Sequence, residues 1–367
     1  ARIENGRMAA TVDRLGKIRL FADGKLVLEE YYRCYEYDMP HTPSLRIVAR
    51  EFTPARGGDY ALTLRFEAQE EKLFGMGQYQ QDTLDLKGCT LELAQRNSQA
   101  SVPFLISSLG YGFLWNNPAV GRVTFAKNMT EWRAESCRQL DYWVTAGDPK
   151  EALEHYTALA GRAPEFPENA LGLWQCKLRY RTQEEVLEVA REYHRRGIPL
   201  DVIVIDFFHW TEQGNWEFDP EYWPDPKAMC DDLKAMGIEP VVSIWPTINP
   251  NSRNWEMMKD GNMLVRTENG QFGIFDFHGQ QTYVDVTSPE AREYMWQQVK
   301  KGYFDLGIKT FWLDQAEPEV HPQQFGNLKF HIGNGTQTAL AYPYYYAKTF
   351  YDGCLLYTSP SPRDRQK

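Results

Sequence analysis

An all-β sandwich followed by the opening half of a (β/α)8 TIM barrel, an α/β fold, is the architecture that three observations in the sequence predict. Short alternating apolar runs separated by glycine-containing turns fill residues 1–145. From residue 171 the pattern changes to continuous β-branched runs alternating with capped amphipathic helices. No GxGxxG or P-loop fingerprint follows any of those runs, so a doubly wound nucleotide-binding sheet is disfavoured. A length of 367 residues leaves room for two or three domains.

The elements follow in order. "KIRLFAD", "KLVLEE", "YALTLRFEA" and "VPFLISS" alternate with the period of half-buried strands, which sets a β-sandwich over 1–145. A short helix and a Pro-punctuated stretch with prolines at 164 and 167 make 146–170 a linker. "ALGLWQCKL" is the first barrel strand, and 171–353 is the first half of the barrel. "TQEEVLEVAREYHRRG" is a helix with Thr182 as N-cap, Glu185 closing a capping box and Gly197 as the stop. "DVIVIDFF" is apolar without interruption, as a strand covered on both faces must be. "DPKAMCDDLKAMG" begins with Asp225 and Pro226 and ends at Gly237. "EPVVSIWP", a long capped helix from Ser288, and "KTFWLDQAE" complete the alternation.

Composition narrows the function. A net charge of -10 argues against nucleic acid or an anionic membrane surface as partner. No run of 18 apolar residues offers a transmembrane helix. The six cysteines are scattered without a CxxC, and the seven histidines include no HxH or HExxH, so neither a metal nor another cofactor is expected. Aromatic residues make up 14% of the chain, a content suited to stacking against sugar rings. No signal peptide is visible and the first residue is Ala1 rather than Met. The compartment is therefore open, leaning cytoplasmic, and the oligomeric state is open too.

Three strand ends carry the candidate chemistry. Asp206 is followed by His209 and Trp210, Trp245 closes the next strand, and Trp312 precedes Asp314. In a barrel the C-terminal strand ends converge on one face, where catalytic residues sit. Carboxylates walled by indoles suit a sugar, whose CH faces stack and whose hydroxyls donate. Glycoside hydrolysis needs two carboxyl groups. Glu317 stands at an odd offset from Asp314, which on a regular strand puts the two on opposite faces, so it is read as an acid that orients the site or simply a loop residue before Pro318. By these residues alone the chain supplies a nucleophile and no partner acid.

The stretches "LGLWQCKLRY", "DVIVIDFFHWTEQGNWEFDPEYWPDPKAM" and "FWLDQAEPE" resemble glycoside hydrolase family 31, a family of retaining α-glucosidases and α-xylosidases. "FGMGQYQ" and "VPFLISSLGYGFLWNNP" resemble its N-terminal, galactose-mutarotase-like sandwich. The resemblance implies that Asp314 is the nucleophile and forms a covalent glycosyl-enzyme intermediate. It implies that Asp206 binds sugar hydroxyls and that Trp245 and Trp312 line the same subsite; His209 and Trp210 are carried over only as nearby lining, and Glu317 joins the substrate-binding candidates by its position alone. The substrate would be an oligosaccharide or other α-glycoside, an α-xyloside in preference to an α-glucoside.

The resemblance also places the acid/base Asp beyond residue 353, with only four or so of eight strands before it. The last fourteen residues, "CLLYTSPSPRDRQK", read as a translated sequencing adapter, so 354–367 is set aside and the chain is expected to be an inactive fragment. A non-catalytic carbohydrate-binding protein is the rival from another class. The stripe "AYPYYYAKTFY" reads as helix packing.

Overall fold

Alternation governs the first half of the chain as expected. In the strand Tyr60–Glu67 every second side chain, Leu62, Leu64 and Phe66, is buried, and in Met129–Cys137 the same holds for Thr130, Trp132 and Ala134. The computed structural model describes residues 1–34, 44, 46–55, 58–163, 165–277 and 279–358. Two units emerge: Ala1–Ala163 with His321–Phe325 and Gly335–Leu340, and Pro164–Val320 with Gly326–Asn334 and Ala341–Lys367.

The first unit is built on two antiparallel sheets. One runs in the order Thr90–Leu93, Gly121–Phe125, Met129–Cys137, Tyr60–Glu67, Arg50–Pro54. The other runs Tyr142–Ala146, Tyr111–Trp115, Ala100–Ser107, Leu73–Gln78. A four-stranded meander from Arg2 to Glu29 adds Leu20 and Val27 to the same core. Trp132 is its centre, stacked on Phe113 at 4.9 Å and on Trp115 at 5.6 Å between ring centroids.

The helix Pro149–Ala160, assigned to the linker from sequence, packs on this unit. Ala152 is fully buried in a cluster with Phe104 and Ile106, and Tyr156 stacks on Phe104 at 4.3 Å. Its start is fixed by a capping box between Asp148 and Glu151.

The second unit is centred on a parallel sheet in the order Trp174–Cys176, Val202–Ile205, Glu239–Ile244, Thr310–Leu313. Helices Gln183–Arg195, Pro226–Ala235 and Pro289–Gly302 lie between successive strands in the chain. Gly197 and Gly237 adopt φ of +63° and +79° just beyond the first two helices, a conformation that costs a side chain strain and that glycine takes freely. Thr182 accepts from the Glu185 amide at 3.2 Å, but the reciprocal half of the expected capping box is absent. The Glu185 carboxylate instead accepts from the Arg181 amide at 2.7 Å and pairs with Lys177.

Strand parity decides what each face of this sheet does. Ile203, Ile205, Val242 and Ile244 share a face with Phe311 and are almost completely buried. Helices cover that face: Phe311 meets Phe350 at 5.3 Å and Trp296 at 6.4 Å. Val202, Val204 and Val241 occupy the other face, the one that Asp206, Trp245, Trp312 and Asp314 share by even offsets.

The last helix, Tyr342–Thr358, runs five residues past Gly353, into the segment set aside from sequence; 359–367 lie outside the described residues. Tyr342, Tyr346 and Phe350 recur at fourth positions and are buried, so the aromatic stripe does pack. Among the described residues no helix is long and apolar enough to cross a membrane.

Candidate active site

The fourth strand ends at Leu313, yet its ladder continues one residue further: the Asp314 amide donates to the Ile244 carbonyl at 3.0 Å. The same carbonyl accepts the Tyr346 hydroxyl at 2.7 Å, which anchors the strand end from the helix side. The next residue, Gln315, takes a left-handed φ of +53°, so the chain turns sharply and leaves the carboxylate at a fixed point. Asp314 Oδ2 accepts from the indole Nε1 of Trp245 at 2.9 Å, and Oδ1 accepts from the Gln315 amide at 2.9 Å. Among the described residues no cation forms an ion pair with it. Two neutral donors orient the carboxylate and leave its charge uncancelled.

Asp206 stands at the equivalent point two strands away. It is 5% exposed, and its Oδ1 accepts from the Phe207 amide at 2.8 Å. Burial raises its carboxyl above the ordinary range and the charge of Asp314 adds to this, while the amide bond opposes both. Here too the backbone turns left-handed, at Phe208 with φ +61°.

His209 and Trp245, both expected to line the sugar site, are almost completely buried. His209 is 1% exposed and both ring nitrogens are engaged: Nδ1 with the Asp206 carbonyl at 2.8 Å, Nε2 with the Tyr303 hydroxyl at 2.9 Å. A carbonyl can only accept, so Nδ1 carries the proton and Nε2 accepts from Tyr303. Burial pushes the imidazole down to about 4. It is a strut beneath the site. Trp245 is 3% exposed, packed edge-on or tilted against Phe207, Phe208, Trp210 and Phe277 at 5.3 to 5.9 Å, and contributes its N–H.

Trp312 is 42% exposed on the Asp314 face, and Trp210 is half-buried against Trp245. Glu317 lies in a turn where strand alternation has ended, so the parity argument against it lapses. Burial raises its carboxyl, with the charges of Glu319 and Asp314 adding, and its Oε2 has no hydrogen-bond partner among the described residues. Among the described residues no group of three or more His, Cys, Asp or Glu is placed to hold a metal.

Sequence reasoning missed Tyr303, 94 positions from its partner His209, and the cage of Phe207, Phe208 and Phe277 around Trp245. Only the aromatic density of "DFFHW" and "IFDF" hinted at the second.

Strand-end acids thus stand beside indoles on one face of a parallel sheet whose strands alternate with helices, the arrangement of part of a (β/α)8 barrel. The profile of the "Glycosyl hydrolases family 31 TIM-barrel domain" matches residues 163–363, and the chain belongs to glycoside hydrolase family 31. It is 50% identical over 363 residues to "Uncharacterized family 31 glucosidase ORF2" of Pseudescherichia vulneris, covering 96% of this chain and 69% of that protein. "Alpha-xylosidase A" of Aspergillus niger is 35% identical over 274 residues, covering 72% of this chain and 37% of that protein. The crystal structure of a family 31 α-xylosidase from a soil metagenome, complexed with xylose, superposes with a TM-score of 0.93 at 51% identity. That match covers 98% of this chain, which thus spans about half, 54%, of the solved one.

Proposed function

We propose that this chain carries the nucleophile half of a retaining α-glycoside hydrolase acting on α-xylosides. The observation that carries the reading is the Asp314 carboxylate, fixed at a strand end by Trp245 and the Gln315 amide, with no cation paired to it among the described residues. Attack by a carboxylate oxygen on the anomeric carbon forms a glycosyl ester and breaks the bond to the leaving oxygen, which takes a proton from a second acid. Water then adds to the anomeric carbon, losing a proton to the conjugate base of that acid, and the sugar leaves with its α configuration retained. Asp206 accepts from hydroxyls of the bound sugar, and Trp312 offers an exposed ring to a CH face. The α-xylosidase names of the Aspergillus and soil-metagenome relatives favour xylose over glucose.

The experiment separates nucleophilic attack from protonation. An α-xylosyl fluoride expels fluoride without needing an acid, so Asp314 alone can form the ester. Incubating the chain with 5-fluoro-α-xylosyl fluoride should add one fluoropentosyl unit by intact mass, with the peptide containing Asp314 carrying it. Asp314→Asn should remove the adduct, and the glucosyl analogue should react more slowly. An unlabelled but folded chain would point to carbohydrate binding without catalysis.

A further inference from the structure

A cavity of about 1010 Å³ adjoins the aromatic cage of the site, and the reaction at Asp314 leaves it without a role. Phe207, Phe208 and Trp210, the rings that pack on Trp245, form part of its wall. Amide side chains of Gln213, Asn249 and Gln281 form another part. The segment after the first parallel strand contributes three bases, Lys177, Arg179 and Arg181, against two acids, Glu185 and Glu212. One acid is already paired, and the other is held by neutral donors. Glu185 is engaged by Lys177 and the Arg181 amide, and Glu212 by the Asn249 amide group and the Gln213 backbone.

The two guanidinium groups have no carboxylate partner among the described residues. Arg179 lies over the Phe208 ring at 5.5 Å and places one N–H 3.4 Å from the Phe208 carbonyl. Arginine keeps its charge at any physiological pH, and its planar fork matches a carboxylate or phosphate. A surplus of base here runs against a chain whose net charge is -10.

We propose that this cavity receives the leaving group and that the leaving group is an anionic sugar, held by Arg179 and Arg181 through its acid group. The aromatic wall and the amides suit a pyranose ring, and the guanidinium fork suits a uronic acid carboxylate. This rests on the glycosidase reading above.

The test titrates the 367-residue chain with glucuronate, glucuronate methyl ester, glucose 6-phosphate and glucose, followed by ligand-observed NMR. Glucuronate should bind about tenfold tighter than its ester, the gain of one charge-assisted contact. Arg179→Gln and Arg181→Gln should each shrink that ratio, and Arg179→Lys should restore part of it. Because the ester differs from the acid only in the ligand, the comparison stands even where a variant folds poorly. Equal affinities of acid and ester would overturn the proposal. Tighter binding of glucose 6-phosphate than of glucuronate, lost in the same variants, would uphold it with phosphate as the acid group. Labelling of Asp314 by the fluoride is read in parallel. A labelled chain with no charge preference sinks this inference alone, and an unlabelled chain sinks the reading beneath it as well.

Discussion

Trp245 shows how a residue expected to stack can serve by donating. Its indole is buried under four aromatic rings, which leaves the N–H aimed at Asp314 Oδ2 and no freedom to aim elsewhere. Hydrogen bonds to charged groups contribute roughly 1.5–3 kcal/mol. Trp245→Phe keeps most of the packing and deletes the donor, so the rate of fluoropentosyl labelling should fall between about tenfold and a hundredfold. A labelling rate unchanged in Trp245→Phe would mean the contact does not orient the nucleophile. His209 makes a prediction of a different kind. Its folded-state value of about 4 lies below the ordinary 6.5, so the folded protein binds fewer protons than the unfolded chain in that window. Its contribution is therefore fully present above pH 6.5 and is lost as pH falls toward 4, a swing on the order of 3 kcal/mol. Urea midpoints measured from about pH 7 down to about pH 4 should fall steeply for the native chain and more gently for His209→Gln. Parallel slopes would show that the imidazole titrates freely.

At the scale of elements, local rules were legible and pairings were not. The uninterrupted run "VIVI" lies in the parallel strand it suggests, because burial on both faces removes polar residues from it. Asp225 and Ser288 cap the helices they precede, accepting from Ala228 at 2.9 Å and Ala291 at 3.3 Å. Thr182 does the same, and Thr182→Ala should cost about 1 kcal/mol in a chemical denaturation of the second unit. The capping box failed because Lys177 and the Arg181 amide compete for Glu185, and a spacing of three residues says nothing about competitors. The helix Pro149–Ala160 was legible as a helix, but its packing on the sandwich was not, because its buried side is small, with Ala152 against Phe104 and Ile106. The rule that C-terminal strand ends converge was enough to bring Asp206, Trp245 and Asp314 to one face. It could not say that Trp245 is buried or that Tyr303 holds His209, since both depend on residues far along the chain.

For the whole molecule, the thiols provide an internal map of the two cores. Cys137 is buried in the first unit and Cys230 in the second, and burial raises both thiols, that of Cys230 to about 12. A buried, protonated thiol is a poor nucleophile toward an alkylating reagent, so each should react only when its own core opens. Cys176, exposed at the end of the first parallel strand, should be alkylated far sooner despite a thiol that burial and the Asp206 charge raise somewhat. Peptide-resolved alkylation therefore reads the stability of each unit separately within one chain. Trp132→Ala would leave a cavity among Phe113, Trp115 and Phe125 and should cost about 3–5 kcal/mol. When opening and closing are fast relative to alkylation, that loss should speed modification of Cys137 by at least about a hundredfold. Cys230 gives the reading for the second unit in the same sample. Immediate modification of Cys137 in the unaltered, folded chain would contradict the sandwich core drawn around Trp132.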